Sequence, residues 1–468
     1  VAYGNITTDL GSLNTDILIK LENKLKDLSY NGTIRTDNFQ LGRLLATNTL
    51  GKVAFKLNTI GGKMHQKSFQ GTVKADVSEI YLNKYNYKEI ALDGKYDGNG
   101  FDGKVNINDA NLKAKFDGMV DLTKKLPVLN FELLLEHADI HALNLTNQYV
   151  GSNLSFHGST NMVGNSLDNL NGYLLLDSIR FDNGGKSLAI NQLLFESQVE
   201  KKTSRFTITS DLINGYFAGD FKYSTIPQTI SALLRNYIPA LSGVNISGNK
   251  KKVNVASNYM DIDLTMSDTR QISEVLNLPF TLDGITTVKG YVDDINKRIE
   301  LNAQTPFLSF GKRKIQDIVL NLNNLDKKLN LLATGNYNMN NSPLNFNLKA
   351  AAANDSLYTQ FGWQNNDSIV NAGEFQATTR FEKTNNLTSA FISILPTQLI
   401  LKDSVWDVLA SKIDISPDKT ISIHNFKIKN KAQFINLDGV ISKDEEKSLA
   451  VDMNDLDIDF IMSLLNFK

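Results

Sequence analysis

Five histidines, His65, His137, His141, His157 and His424, are the only side chains of this 468-residue chain that ordinarily titrate near neutrality. The chain has no cysteine, which removes a disulfide scaffold, a thiolate metal site and a cysteine nucleophile together. In Glu136-His137-Ala138-Asp139-Ile140-His141 the two histidines have the spacing of a helical metal pair. The apolar alternation around them points to a strand instead, where residues four apart stand ~13 Å apart. No metal and no cofactor is expected. Asp261 and Asp263 share one face of a strand, and as an acid and base pair they would need a shaped pocket. A solvated face is the simpler reading. Glycine-rich phosphate loops, nucleophile elbows and zinc-protease motifs are all missing. Lys250-Lys251-Lys252 and Lys312-Arg313-Lys314 read as turn or edge-strand charges that discourage sheet-to-sheet pairing, with lipid headgroup contact as a second reading. No catalytic constellation remains, and an enzyme is not expected.

Composition narrows the class further. Lysine and arginine total 49 and aspartate and glutamate 50, giving a formal charge of −1. That balance lacks the basic footprint of a dedicated nucleic-acid binder. At 41% hydrophobic and 21% charged, the chain can build a large core and is not disordered. No run of ~18 apolar residues would cross a bilayer as a helix. The opening residues Val1-Ala2-Tyr3-Gly4-Asn5 do not resemble a signal peptide, so any targeting segment lies outside this chain. Asparagine is unusually common, at 53 residues, and the many Asn-X-Ser/Thr sequons follow from that abundance.

The elements that position these residues read as strands. Val53, Phe55 and Leu57 alternate with Ala54, Lys56 and Asn58; Phe131, Leu133 and Leu135 alternate with Glu132, Leu134 and Glu136; and likewise Ile262, Leu264 and Met266, then Leu344, Phe346 and Leu348, with polar neighbours. Turn formers separate such runs at Asp97-Gly98-Asn99-Gly100, Asp182-Asn183-Gly184-Gly185, Asn323-Asn324-Leu325-Asp326 and Asn338-Met339-Asn340-Asn341. Strands joined by short turns are antiparallel neighbours, so the expected fold class is all-β, a long antiparallel meander. Helical spacing is rare. It predicts helices over 226–240 and 268–278, with single turns or short helices at Leu41 to Thr47 and Phe460 to Leu465. The two longer helices suggest three segments: 1–225, a helix-containing interruption at 226–280, and 281–468, the last expected to continue the first.

One local pattern recurs: apolar, any, glycine, any, apolar, as in Phe101-Asp102-Gly103-Lys104-Val105. Its centres are Gly32, Gly94, Gly103, Gly118, Gly172, Gly219, Gly290 and Gly439. Residues two apart share a strand face, so each glycine lies between two large apolar residues. Such glycines would let the sheet curl around that face, or leave room there for an apolar guest. Their irregular spacing excludes a fixed-length solenoid.

Several stretches carry a family likeness. Asp168-Asn169-Leu170-Asn171-Gly172-Tyr173-Leu174-Leu175-Leu176 is followed by Ile190-Asn191-Gln192-Leu193-Leu194-Phe195, Thr209-Ser210-Asp211-Leu212 and Gly219-Asp220-Phe221. Later come Ile394-Leu395-Pro396-Thr397, Trp406 and Ala432-Gln433-Phe434-Ile435-Asn436-Leu437-Asp438-Gly439. This texture resembles the AsmA-like superfamily and, within it, the TamB family of the translocation and assembly module. The Asn- and Lys-rich composition is similar to that of Bacteroidetes members. The resemblance implies a β-taco, a curled antiparallel sheet around an apolar groove with a few short helices. It implies a periplasmic, inner-membrane-anchored conduit for phospholipid that supports outer-membrane biogenesis and outer-membrane protein assembly. Partners so implied are phospholipid acyl chains and, for the full-length protein, an outer-membrane barrel of the TamA type. The expected membrane anchor and barrel-engaging domain are not recognisable, so the chain reads as an interior fragment.

On that reading the groove lining comprises Val53, Phe55, Leu57, Phe101, Val105, Phe116, Val120, Phe131, Leu133 and Leu135 in the first half of the chain. Leu174, Phe206, Ile208, Phe217, Phe221, Leu264, Leu320, Leu322, Leu344, Phe346 and Leu348 continue it. At 11 to 12 residues per strand and turn, about 40 strands spaced ~4.8 Å apart would make a sheet ~190 Å long. A structural or adhesive β-rod with a filled core is the alternative, differing only in whether the interior is open. A carbohydrate-active enzyme would cluster carboxylates and aromatics in one cleft, whereas the aromatics here are spread along the strands, with only Trp363 and Trp406 as tryptophans.

Overall fold

The computed structural model describes residues 2–22, 27–65, 68–200, 203–241, 258–311, 313–339, 342–385, 387–442 and 448–456. The Phe460 to Leu465 helix and the Lys250–Lys252 run lie outside them. The described residues form thirty strands of one antiparallel sheet and three α-helices, α1 (Leu41–Leu44), α2 (Ile226–Arg235) and α3 (Arg270–Val275). Strands are longer and fewer than expected, reaching 16 residues at Leu50–His65.

Two compact units divide the chain, the first comprising 1–216 with 270–278, and the second 217–269 with 279–468. The division therefore differs from the three expected segments. The two longer helices go to different units, and a strand lies between them in the sequence.

The first unit contains β1 (Ala2–Thr8), β2 (Gly11–Glu22), β3 (Asp27–Gln40), β4 (Leu50–His65), β5 (Ser68–Leu82), β6 (Tyr85–Asp97) and β7 (Gly100–Asn108). It continues with β8 (Leu112–Asp121), β9 (Val128–Ala138), β10 (Asn153–Val163), β11 (Asn171–Asp182), β12 (Ser187–Val199) and β13 (Ser204–Ser210). Successive strands pair as hairpins from β1 through β13. β14 (Ile213–Asp220) spans the division between the units.

Register puts glycine opposite glycine in this unit. Gly94 pairs with Gly103, and Gly103 with Gly118. A Cβ on Gly103 would stand 2.4 Å from the Asp93 carbonyl oxygen and 2.4 Å from the Gly94 Cα. The neighbouring strand fills the space a side chain would need, so only glycine fits along this row and no room is left there for a guest. Gly61 points the other way, and a Cβ there would meet nothing closer than 3.6 Å.

One rim of the first unit is sealed. The segment after β9 folds back, its Asp139 N–H donating to the Asn111 carbonyl at 3.0 Å, and it buries Leu143 beside Ala114, Leu135 and Ala138. α3 covers Phe181 and Leu188 with Val275. Asn183 Nδ2 donates to the Val275 carbonyl at 2.7 Å and Lys186 Nζ to the Glu274 carbonyl at 3.1 Å, fixing the helix to the β11–β12 turn.

The second unit runs β15 (Tyr259–Met266), β16 (Phe280–Asp283), β17 (Thr286–Asp293), β18 (Arg298–Phe310), β19 (Arg313–Asn323), β20 (Leu329–Met339), β21 (Ser342–Ala353) and β22 (Ser356–Asn365). β23 (Ala372–Thr384), β24 (Leu387–Ile394), β25 (Thr397–Leu401), β26 (Ser404–Val408), β27 (Ser411–Ile415), β28 (Ile421–Asn430), β29 (Gln433–Ile441) and β30 (Leu449–Asn454) follow. β24 and β25 are one line interrupted at Leu395-Pro396, facing β27 and β26, which are interrupted at Leu409-Ala410. Pro396 cannot donate to a ladder, so both lines break at the same level.

α2 starts with Pro227 in its first turn, as the sequence predicts, and seals a rim of this unit. Leu233, 2% exposed, packs on Val292 and Ile299. Burying each such side chain stabilises by about 2 kcal/mol. Asn258, also 2% exposed, holds the helix from below: its Nδ2 donates to Thr225 Oγ1 at 3.0 Å and to Thr229 Oγ1, while its Oδ1 accepts from the Lys222 N–H at 3.0 Å. Beyond the helix, Asp355 Oδ1 accepts from the Ala240 N–H at 2.6 Å and Thr388 Oγ1 donates to the Ala240 carbonyl at 2.8 Å. The segment is thus tied across successive hairpin turns.

Candidate apolar groove

Away from the sealed rims, the apolar face of each unit is neither packed nor fully open. In the first unit, register carries one row from Leu92 to Val105, Phe116 and Leu133 on neighbouring strands. Ring centroids lie 6.4 Å apart for Phe101 and Phe116, and 5.0 Å apart for Phe116 and Phe131. Phe55, Leu57, Phe101, Val105, Phe116, Val120, Phe131, Leu133, Leu174, Ile208 and Phe217 are half-buried. Val53 and Leu135 are buried toward the sealed rim, and Phe206 is buried against the Phe195 ring, 4.0 Å away. Phe221 lies beyond the end of β14, buried against Tyr223 in the segment leading to α2, and belongs to that packing rather than to a strand face.

The second unit repeats the arrangement. Leu264, Val288, Ala303, Leu320, Ala333, Leu348, Phe361 and Phe375 follow one another across β15 and β17 to β23. Leu322, Leu344 and Phe346 share that face, and all the expected lining residues among these are half-buried. The row ends in an apolar cavity of about 380 Å³ lined by Phe361, Phe375, Ile392, Ile394, Ile413, Ile423, Phe426 and Leu437. None of these eight is among the residues expected to line the groove. The alternation in Phe391-Ile392-Ser393-Ile394 and Ile421-Ser422-Ile423 carried the necessary signal, but the break at Pro396 hid the continuity of the strands.

Two devices bound this cavity. Phe361, Trp363 and Phe375 stack in sequence at 5.9 and 5.5 Å. Gly373 makes room for the stack, since a Cβ there would stand 2.6 Å from the Trp363 ring. Beyond the strand break, Leu399, Trp406 and Val408 are buried against Trp363 and Phe375 and form a packed wall.

The pattern glycines lie on the same face as the lining. Gly32, Gly172, Gly219, Gly290 and Gly439, like the paired three, each have a neighbouring carbonyl oxygen within 2.6 Å of the Cβ position. They shape the trough rather than line free space. Polar atoms on the face are few. Tyr30 and Tyr96 share a hydroxyl–hydroxyl hydrogen bond across β4 and β5, over the Gly62–Gly71 pair. Burial, with the Tyr30 hydroxyl, pushes the Tyr96 phenol well above its usual range.

The residues considered for chemistry stay apart. His137 Nδ1 meets Asn153 Oδ1 at 2.6 Å, while His141 lies in the turn after β9. Asp261 accepts from the Tyr259 hydroxyl at 2.8 Å and Asp263 pairs with Lys289 at 3.1 Å. Lys314 pairs with Asp283 at 3.6 Å and lies over the Phe307 ring. Among the described residues no group of three or more His, Asp or Glu side chains could hold a metal ion. No described helix is long and apolar enough to cross a membrane. An uncharged trough with these dimensions can do one thing chemically: shelter hydrocarbon from water. No protein-family model, curated protein or solved structure matches the chain.

Proposed function

We propose that the protein carries acyl lipid in its apolar trough, as a conduit for phospholipid in the periplasm within an inner-membrane-anchored, envelope-spanning chain of the TamB type. The single observation that carries this reading is the half-burial of the Phe and Leu rows in each unit, the second unit's row ending in the 380 Å³ apolar cavity. A filled rod would bury those rings against one another. Each methylene sheltered contributes about 0.8 kcal/mol, so a 16-carbon tail gains on the order of 10 kcal/mol before ordering costs. With few polar anchors on the face, neighbouring positions along a unit hold a chain almost equally, which favours sliding. The barrel partner of the TamA type and a role in outer-membrane protein assembly belong to the same proposal and rest on the resemblance alone.

Native mass spectrometry after incubation with phosphatidylethanolamine vesicles, alongside transfer of a fluorescent analogue between vesicles, tests the reading. Wild-type protein should retain lipid. Phe131→Asp and Phe346→Asp should fold but lose it, because a half-exposed site tolerates a hydrated carboxylate. Unfolding of both variants, with no lipid bound to the wild type, would establish the filled rod instead.

A further inference from the structure

The opposite face of the second unit carries a different kind of site. Across β18 to β22, two outward rows run in register: Glu300, Asn323, Asn330, Ala351 and Tyr358, and beside them Asn302, Asn321, Leu332, Lys349 and Gln360. Together they line a concave cavity of about 490 Å³. Five strands at ~4.8 Å spacing make it roughly 19 Å wide, room for an oligomer rather than a single small ring. Asn321 and Tyr358 are half-buried although, among the described residues, no element packs over this face, so their neighbours in the cavity shelter them.

Two of these groups are uncommitted: Asn321 and Tyr358 make no side-chain hydrogen bond among the described residues. Lys349 lies within electrostatic reach of Glu374. Asn302 Nδ2 donates to Glu300 at 3.3 Å, and Gln360 Nε2 donates to Glu374 at 2.5 Å, leaving both amide oxygens open. The surface thus offers donors and acceptors interleaved, with a phenol ring and Leu332 as flat apolar ground between them. Two carboxylates, Glu300 and Glu374 beside Gln360, outnumber the one ammonium, Lys349. An anionic ligand would find a single cation, so the complement in charge is an uncharged polyol, whose hydroxyls both donate and accept.

We propose that the outward face of β18 to β22 binds a neutral oligosaccharide chain. The site is independent of the trough, since its side chains point to the other side of the sheet. The test is affinity electrophoresis of the whole chain through gels containing laminarin, hydroxyethylcellulose or mannan, with alginate as the anionic counterpart. At least one neutral polymer should retard the protein. Asn321→Ala and Tyr358→Ala should each weaken retention, and combined they should raise Kd at least ~tenfold, about 1.4 kcal/mol. Lys104→Ala, on the outward face of the first unit, should leave retention unchanged. Because neither Asn321 nor Tyr358 has a side-chain hydrogen-bond partner among the described residues, the melting midpoints should not move, and each single variant carries the test if the pair fails to fold. The proposal is overturned if no neutral polymer retards the protein, if alginate alone does, or if retention survives the substitutions.

Discussion

The two units present nearly the same apolar face and quite different means of shaping and dressing it. In the first, glycines are set opposite one another, Gly62 with Gly71 and Gly94 with Gly103 and Gly118. In the second, the strands themselves are broken, at Leu395-Pro396 and Leu409-Ala410, and a buried wall of Leu399, Trp406 and Val408 folds over the end. The outward faces diverge further. The first unit carries ladders of ion pairs, Lys52 with Glu79 at 2.9 Å, Lys74 with Asp93 at 3.1 Å, Lys104 with Asp117 at 2.9 Å and Lys115 with Glu136 at 2.6 Å. The second replaces them over β18 to β22 with amides. A curled sheet constrains the face it encloses, because rings there must fit one another. It leaves the outer face free to take whatever chemistry another role requires.

Glycine-dependent strand contact should make the first unit intolerant at a few positions. Gly103→Val places atoms where Asp93 and Gly94 already lie, and should cost on the order of 3 kcal/mol. Gly61→Val, on the open side, should change stability by no more than ~0.5 kcal/mol. Thermal unfolding compares the two, and hydrogen exchange should rise across β6 to β8 while β18 to β22 stay protected. Equal effects at Gly61 and Gly103 would mean that the close approach at Gly103 does not require glycine.

The helices sharpen the contrast at the sealed rims. Asn258→Ala strips α2 of its buried polar anchor and should cost roughly 2 kcal/mol, seen as faster exchange in α2 with α3 unchanged. Asn183→Ala removes one bond to the end of α3 and should cost about 1 kcal/mol, with the reverse pattern. Loss of protection in both helices from either change would dissolve the distinction between the units.

The outer faces should differ least in stability. Lys104→Ala removes an exposed ladder pair and should leave the melting midpoint unchanged, because such pairs are screened by water and salt. Glu374 behaves differently. Hydrogen bonds from Gln360, then Gln376, hold its carboxyl below the ordinary 4.5, so the folded state binds this proton less readily than the unfolded chain. Its contribution is complete above pH 4.5 and is lost as pH falls through the lowered value. Glu374→Gln should therefore flatten the acid limb of stability in the second unit, and an unchanged acid limb would refute the role of those amides.

Much of the trough was legible before any coordinates, and for identifiable reasons. Alternation in Phe131-Glu132-Leu133 or Leu344-Asn345-Phe346 fixes which side chains share a face, because a strand's period is two whatever surrounds it. Turn chemistry at Asp97-Gly98-Asn99-Gly100 announced a hairpin, and Pro227 with Pro239 bracketed α2 and its extension. The cavity around Ile392, Ile413 and Phe426 was not legible, because it depends on two strand breaks meeting at one level. The amide face was hidden too. Eleven of the 53 asparagines fall between 301 and 350, but in one dimension they resemble turn residues.

Local sequence, then, determined the strand period, the hairpin order and the positions where only glycine could stand, since each depends on a few neighbouring bonds. Tertiary structure alone decided which strands the glycines face, which rings stayed half-exposed, and where amides from four strands gathered. Those outcomes depend on register between residues far apart in the chain, a relation that pairing creates and no short stretch of sequence contains.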